Sequence, residues 1–233
     1  MISSKRDKPF LFKSELKKGQ ANTVPAFCSA AAIIAILFFS CQTKETHQLT
    51  VGIQPYGIFP EDKTDTIAKT IADFYQIKTI ILPTKELYKE AFTEVKSPRY
   101  RADKMINLQK KNKTDSLDFI LGLTYKDISV TKKDKWGKIK TPTYKYADWG
   151  IMGLAYCPGN SCIVSTFRIQ HPNSKTHFTR FKKVAVHEFG HNLGLPHCPD
   201  KSCVMTDAVE SVKTIDNAKL ALCEKCSGLL IKY

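Results

Sequence analysis

The chain has 233 residues, 42% of them hydrophobic and 25% charged, with a formal net charge of +14. This is a globular balance, so disorder is not the default reading for the body of the chain, and the length suits one ordinary domain or two small ones. The positive excess allows an acidic partner or an anionic membrane surface, but Lys is scattered, with only short clusters such as Lys132-Lys133-Asp134-Lys135. That is the pattern of a solvated basic surface, so no nucleic-acid partner is expected.

Residues 26–40, AFCSAAAIIAILFFS, form an uncharged apolar run behind Lys5, Arg6, Lys8, Lys13, Lys17 and Lys18. A membrane span needs about 20 such residues, so the run suits the apolar segment of a signal peptide. It ends at Ser40-Cys41, which resembles the lipobox of bacterial lipoproteins, although Phe38 and Phe39 stand where the strict motif has Leu and a small residue. Residues 1–41 therefore read as an export signal with Cys41 as the lipidation site. The protein would be exported and membrane-anchored by that lipid, on the periplasmic or cell-surface side; an uncleaved signal anchor is the alternative. Residues 42–233 are left as the folded part.

In the body, Leu49–Gln54 reads as a strand and Asp62–Tyr75 as an amphipathic helix with Ile67, Ile71, Phe74 and Tyr75 at helical spacing. Lys78–Leu82 reads as a buried strand ended by Pro83. Residues 85–112 are helix-prone with a break at Ser97-Pro98, Leu117–Thr124 is strand-like, and 126–148 reads as a surface loop. Gly150–Tyr156 and Cys162–Phe167 flank Cys-Pro-Gly-Asn-Ser-Cys as a hairpin. Cys157 and Cys162 would close it as a disulfide in an oxidising compartment, with free thiols as the alternative. A helix is expected from Ser174 to Leu193. Strands alternating with helices before a Cys-rich tail predict an α/β sheet domain to about residue 194, then a small C-terminal lobe over 195–233.

The chemistry lies in HEFGHNLGLPHC, from His187 to Cys198. His187 and His191 are four residues apart, so a helix projects both imidazoles from one face. Gly194 can take a left-handed turn that swings His197 back as a third ligand. Three neutral imidazoles leave a fourth position for water, as in a catalytic zinc site, and Glu188 is placed to take that water's proton as it attacks a carbonyl.

Downstream, Cys203 follows Cys198 after four residues, Met205 completes CVM, and CEKC brings Cys223 and Cys226 seventeen residues later. Together these residues resemble the archaemetzincin signature HExxHxxGxxHC, x4, CxM, x17, CxxC, and weaker likenesses extend over LPTKELY, RYRADKMI, LGLTYKDIS and GLAYCPG. The resemblance implies a metzincin-like zincin fold, a twisted mixed sheet with backing and active-site helices and a Cys-rich C-terminal lobe. It implies a zinc peptidase acting on peptide or protein substrates, with His187, His191 and His197 on catalytic zinc and Glu188 as base. Met205 would be the Met-turn residue beneath those ligands. Cys198, Cys203, Cys223 and Cys226 would hold a second, structural zinc, although disulfides among them are the alternative outside the cytoplasm. The strand Cys162–Phe167 would be the sheet edge bordering the cleft. Two other readings compete: a zinc-retaining scaffold that binds peptides without turnover, which an intact Glu188 argues against, and a zinc-ribbon-like nucleic-acid binder, which export argues against.

Overall fold

A computed structural model describes residues 47–207 and 211–230; Cys41 and the apolar segment before it lie outside the described residues. Among the described residues no helix is long and apolar enough to cross a membrane.

The elements run β1 (Thr50–Pro55), α1 (Glu61–Tyr75), β2 (Lys78–Ile81), a 3-10 turn (Lys89–Ala91), β3 (Phe92–Thr93), β4 (Arg99–Arg101) and α2 (Ala102–Lys111). They continue with β5 (Phe119–Thr124), β6 (Ile128–Val130), α3 (Thr143–Tyr146), β7 (Trp149–Ile151), β8 (Gly153–Ala155), β9 (Ser161–Ser165), α4 (Ser174–Asn192), α5 (Val212–Asn217) and α6 (Glu224–Leu229). The main sheet has the order β2-β1-β5-β9-β8, parallel except for β8, which runs antiparallel to β9 with Leu154 opposite Ile163. A second small sheet has the order β3-β4-β6-β7.

Alternation along the central strands divides the core. Val51 and Ile53 of β1, Leu121 and Leu123 of β5, and Cys162 and Val164 of β9 pack with Ile67 and Ile71 of α1 and Phe181 and Phe189 of α4. Ile163 faces the other way, into a smaller cluster with Met105 and Ile106 of α2 and Ile128 of β6. Gln109 of α2 pins that layer to the sheet, donating to the Ser161 hydroxyl at 3.0 Å and to the Cys162 carbonyl at 2.9 Å.

Several expectations are corrected. Residues 85–97 form no α-helix; the chain there is extended apart from the 3-10 turn, and Phe92 pairs with Tyr100. β2 is not buried but forms the far edge of the sheet, with Ile80 and Ile81 partly open to solvent. Residues 126–148 are not simply a surface loop, because β6 and the carboxylates of Asp127 and Asp148 are buried beside Arg99. The edge bordering the cleft is β8, since β9 is covered by β5 on one side and β8 on the other. The hairpin carries no disulfide. Cys162 points into the core while Cys157 is exposed and directs its thiol to the Leu195 carbonyl at 3.4 Å.

Candidate active site

Helix α4 starts at Asn173, whose side chain accepts from the Thr176 amide at 3.0 Å, satisfying one free N–H of the first turn. Its last two turns carry His187 and His191 on one face, with their Nε2 atoms 3.0 Å apart. The helix then stops abruptly. Gly194 takes φ +87°, its amide donates to the His191 carbonyl, and Leu195 N donates to the Gly190 carbonyl, both at 2.9 Å. These two bonds define a glycine-closed helix end that a Cβ would strain. The reversal brings the His197 ring to 4.8 Å from that of His191 and 5.4 Å from that of His187, centroid to centroid.

Backbone carbonyls fix the orientation of two of the three rings. His187 Nδ1 donates to the Val204 carbonyl at 2.8 Å, and His191 Nδ1 donates to the Leu195 carbonyl at 2.7 Å. A carbonyl only accepts, so each Nδ1 bears the proton and each Nε2 keeps its lone pair for the shared centre. His197 Nδ1 stands 3.8 Å from the Asp207 carboxylate. Burial, reinforced by His191, drives His187 down to about 4, and burial also lowers His191. Both are neutral at neutral pH, the form that ligates metal. Imidazole nitrogens on a tetrahedral zinc lie about 3.3 Å apart at the usual bond lengths of about 2.0–2.1 Å, so these donors fit the ion.

Glu188 is buried, and that burial pushes its carboxyl up to about 8. It lies directly against the edge strand: a Cβ added to Gly153 would be 2.5 Å from Glu188 Cγ and 2.7 Å from Oε1. Residues 149–155 of β7 and β8 form one wall of a cleft of about 670 Å³ that Glu188 and the three histidines also line. Val184, Val212 and Ile215 supply an apolar side of it, and among the described residues no tyrosine lines it.

Met205 is fully buried under the helix at Gly190, where a Cβ would come 2.6 Å from its sulfur and 2.8 Å from the Tyr75 hydroxyl. Cys198, Cys203, Cys223 and Cys226 each direct a sulfur to one point, all within 4.8 Å of one another and none oxidised. Cys198 and Cys223 sulfurs are 3.6 Å apart, close to the separation of about 3.8 Å that tetrahedral zinc imposes on two thiolates. The backbone joins the two clusters, with Cys198 N donating to the Met205 carbonyl at 2.8 Å.

All the residues singled out in the motif are thus gathered into two clusters. Gly153 and the orienting carbonyls of Val204 and Leu195 were not legible, since a backbone acceptor has no signature in sequence. Lys183 was also missed, though its place four residues before His187 puts it on the cleft face.

Two helical imidazoles, a third returned by a left-handed glycine, and a glutamate under the edge of a mixed sheet form the plan of a zinc metallopeptidase of the metzincin type. Comparison with known proteins refines the class. The model for Peptidase family M54 matches residues 78–232, and the chain belongs to that family. The archaemetzincin of Haloquadratum walsbyi is 28% identical over 191 residues, spanning 78% of this chain and 99% of its own. The crystal structure of the Methanopyrus kandleri archaemetzincin superposes with a TM-score of 0.64 at 25% identity, covering 78% of this chain and 93% of that one. A zinc-dependent peptidase from Methanocorpusculum labreanum shares the fold, with a TM-score of 0.58 at 18% identity over 78% of this chain and all of its own.

Proposed function

We propose that the chain hydrolyses peptide bonds with His187, His191 and His197 as ligands of a catalytic zinc and Glu188 as general base. The observation that carries this reading is the buried Glu188 side chain, which lines one cleft with the three imidazoles and presses against the free edge of β8. Zinc held by the three imidazoles would supply a Lewis acid that acidifies water and polarises a carbonyl. Glu188 takes the proton of the attacking water and returns it to the departing amine nitrogen. The edge of β8 holds the substrate extended through main-chain hydrogen bonds, with the scissile bond at the level of Gly153. Val204 and Leu195 keep the two helical imidazoles aimed at the centre throughout.

We assign the four cysteines to a second, structural zinc. Such a site would tie the C-terminal segment to the loop bearing His197, because Cys198 adjoins that ligand and bonds to Met205. Export and lipidation at Cys41 complete the reading and rest on the apolar run ending at Ser40-Cys41. Peptides would therefore be met outside the cytoplasm.

Metal analysis of purified protein with a peptide-library digest tests the core of this. Two zinc ions per chain are expected, and Glu188→Gln should keep both while turnover falls about 10²-fold or more. Near wild-type turnover in that variant would remove Glu188 from the mechanism. One zinc with disulfides among the four cysteines would remove the structural site alone. An unprocessed N-terminus without acyl mass in the membrane fraction would rule out the anchor.

A further inference from the structure

One end of the cleft is built around a cation. Arg168, three residues beyond β9, turns its guanidinium back over β7, and a Cβ at Gly150 would collide with it. Arg168 Nε and Nη2 donate to the two carboxylate oxygens of Asp127, both at 2.7 Å, and among the described residues Nη1 meets no protein acceptor. The side chain is 35% exposed and lines the same cavity as Glu188.

Asp127 does not neutralise this guanidinium alone. The same carboxylate faces Arg99 at 3.2 Å, and Arg99 and Arg101 share Asp148 at 3.2 and 3.7 Å. Three guanidiniums therefore stand against two buried carboxylates. Asp103, beside Arg101 at 3.4 Å, is solvent-exposed, where an ion pair contributes little. Held at two points by Asp127, Arg168 is preorganised, so little side-chain entropy remains to be lost on engaging a ligand.

The edge strand gives this cation a position along the substrate. A peptide that adds antiparallel to residues 149–155 runs from the Ala155 end toward Trp149. The cleaved bond lies at Gly153, beside Glu188, and Gly150 is three residues further along, about 10 Å at about 3.3 Å per residue. That is two to three substrate residues beyond the cleaved bond on its C-terminal side.

We propose that Arg168 is a specificity-determining residue, taking a carboxylate of the substrate two to three residues C-terminal to the cleaved bond. The carboxylate is either the peptide's own C-terminus or an Asp or Glu side chain at that place. This inference rests on the peptidase reading above, and its test separates the two.

The test uses zinc-loaded protein and peptides sharing one cleavable sequence. One ends as a free acid three residues past the bond and is paired with its amide. A longer amidated peptide carries Glu there and is paired with its Gln counterpart. At least one acidic member should exceed its neutral partner about tenfold in kcat/KM, mostly through KM, as expected for a charge-assisted hydrogen bond. Preference for the free acid assigns the terminal carboxylate, and preference for Glu assigns the side chain. Arg168→Gln should abolish that ratio, and Arg168→Lys should restore part of it. Binding of the same labelled peptides to zinc-loaded Glu188→Gln protein is read by fluorescence anisotropy, so absent turnover, which would sink the peptidase reading, leaves this inference measurable. Equal kcat/KM and equal Kd for charged and neutral partners overturns it. So does a preference that survives Arg168→Gln. Should Arg168→Gln not fold, the wild-type comparison and Arg168→Lys decide.

Discussion

A single methyl group at Gly153 should disable the enzyme while leaving its metal in place. The Cβ of Gly153→Ala would lie 2.5 Å from Glu188 Cγ, 2.8 Å from Cδ and 2.7 Å from Oε1. Non-bonded carbons rest about 3.5–4.0 Å apart, so the glutamate must retreat by about 1 Å. Its carboxylate is the end of a side chain and can give way, which limits the loss of stability to about 1–2 kcal/mol, a fall of several degrees in Tm. Catalysis is less forgiving, since a displacement of about 1 Å costs about 10²-fold in rate. The assay is kcat on a fluorogenic peptide, read beside zinc content and Tm. Gly228→Ala serves as the control, because beyond its chain neighbours and its own helix backbone nothing lies within 4 Å of its added Cβ. Full kcat in Gly153→Ala would show that the strand does not press on Glu188 in the working enzyme. Zinc lost together with activity would show that the fold, not the base, had been disturbed.

Gly190→Ala should be the more damaging helix change, because its Cβ meets the buried Met205 sulfur at 2.6 Å and the Tyr75 hydroxyl at 2.8 Å. Overpacking of about 1–3 kcal/mol is expected, with weaker zinc retention; a thermal scan indistinguishable from wild type would contradict the packing of Met205 under the helix. Cys223→Ser should reduce zinc from two ions to one, lower Tm and loosen the catalytic ion, although Cys223 lies outside the histidine centre; two ions still bound at wild-type Tm would count against the four-thiolate site. Asp216 gives a pH signature. The hydrogen bonds from Arg180 at 2.7 and 2.6 Å hold its carboxyl below the ordinary 3.8. A carboxylate lowered on folding adds stability above its unfolded pKa and loses it as pH falls through the folded one. The Tm difference between wild type and Asp216→Asn should therefore shrink below about pH 4, and a difference that widens on acidification would be incompatible with the pair.

Legibility followed the length of the periodic signal. α1 announced itself through Ile67 and Ile71, and α4 through Phe181, Val184 and the spaced histidines, because each runs several turns with one face in the core. β1 and β5 are six-residue strands buried along their whole length and were equally visible. The small sheet was not, since its strands have two or three residues, too few to show alternation. Asp127 and Asp148 looked like solvated loop charges because their partner, Arg99, lies 28 and 49 residues away in a stretch read as helix. The Cys157–Cys162 expectation failed for a geometric reason: Ala155 is the register partner of Cys162, and the Cys162 side chain faces the core. Local turn chemistry gave no sign of that orientation.

Tyr75 carries a consequence for how small a working unit can be made. Its hydroxyl donates to the Val186 carbonyl at 2.8 Å, and its ring meets Phe189 edge-on at 5.3 Å, so the last turn of α1 props the helix that bears His187. β1, just upstream, is the strand that joins β2 to β5. A chain trimmed to begin at Lys78 would keep every histidine and cysteine of both clusters, yet lose the prop and split the main sheet next to its edge. The histidine-bearing helix is therefore not a portable cassette. Grafts and minimal versions have to carry about thirty residues that contain none of the chemistry.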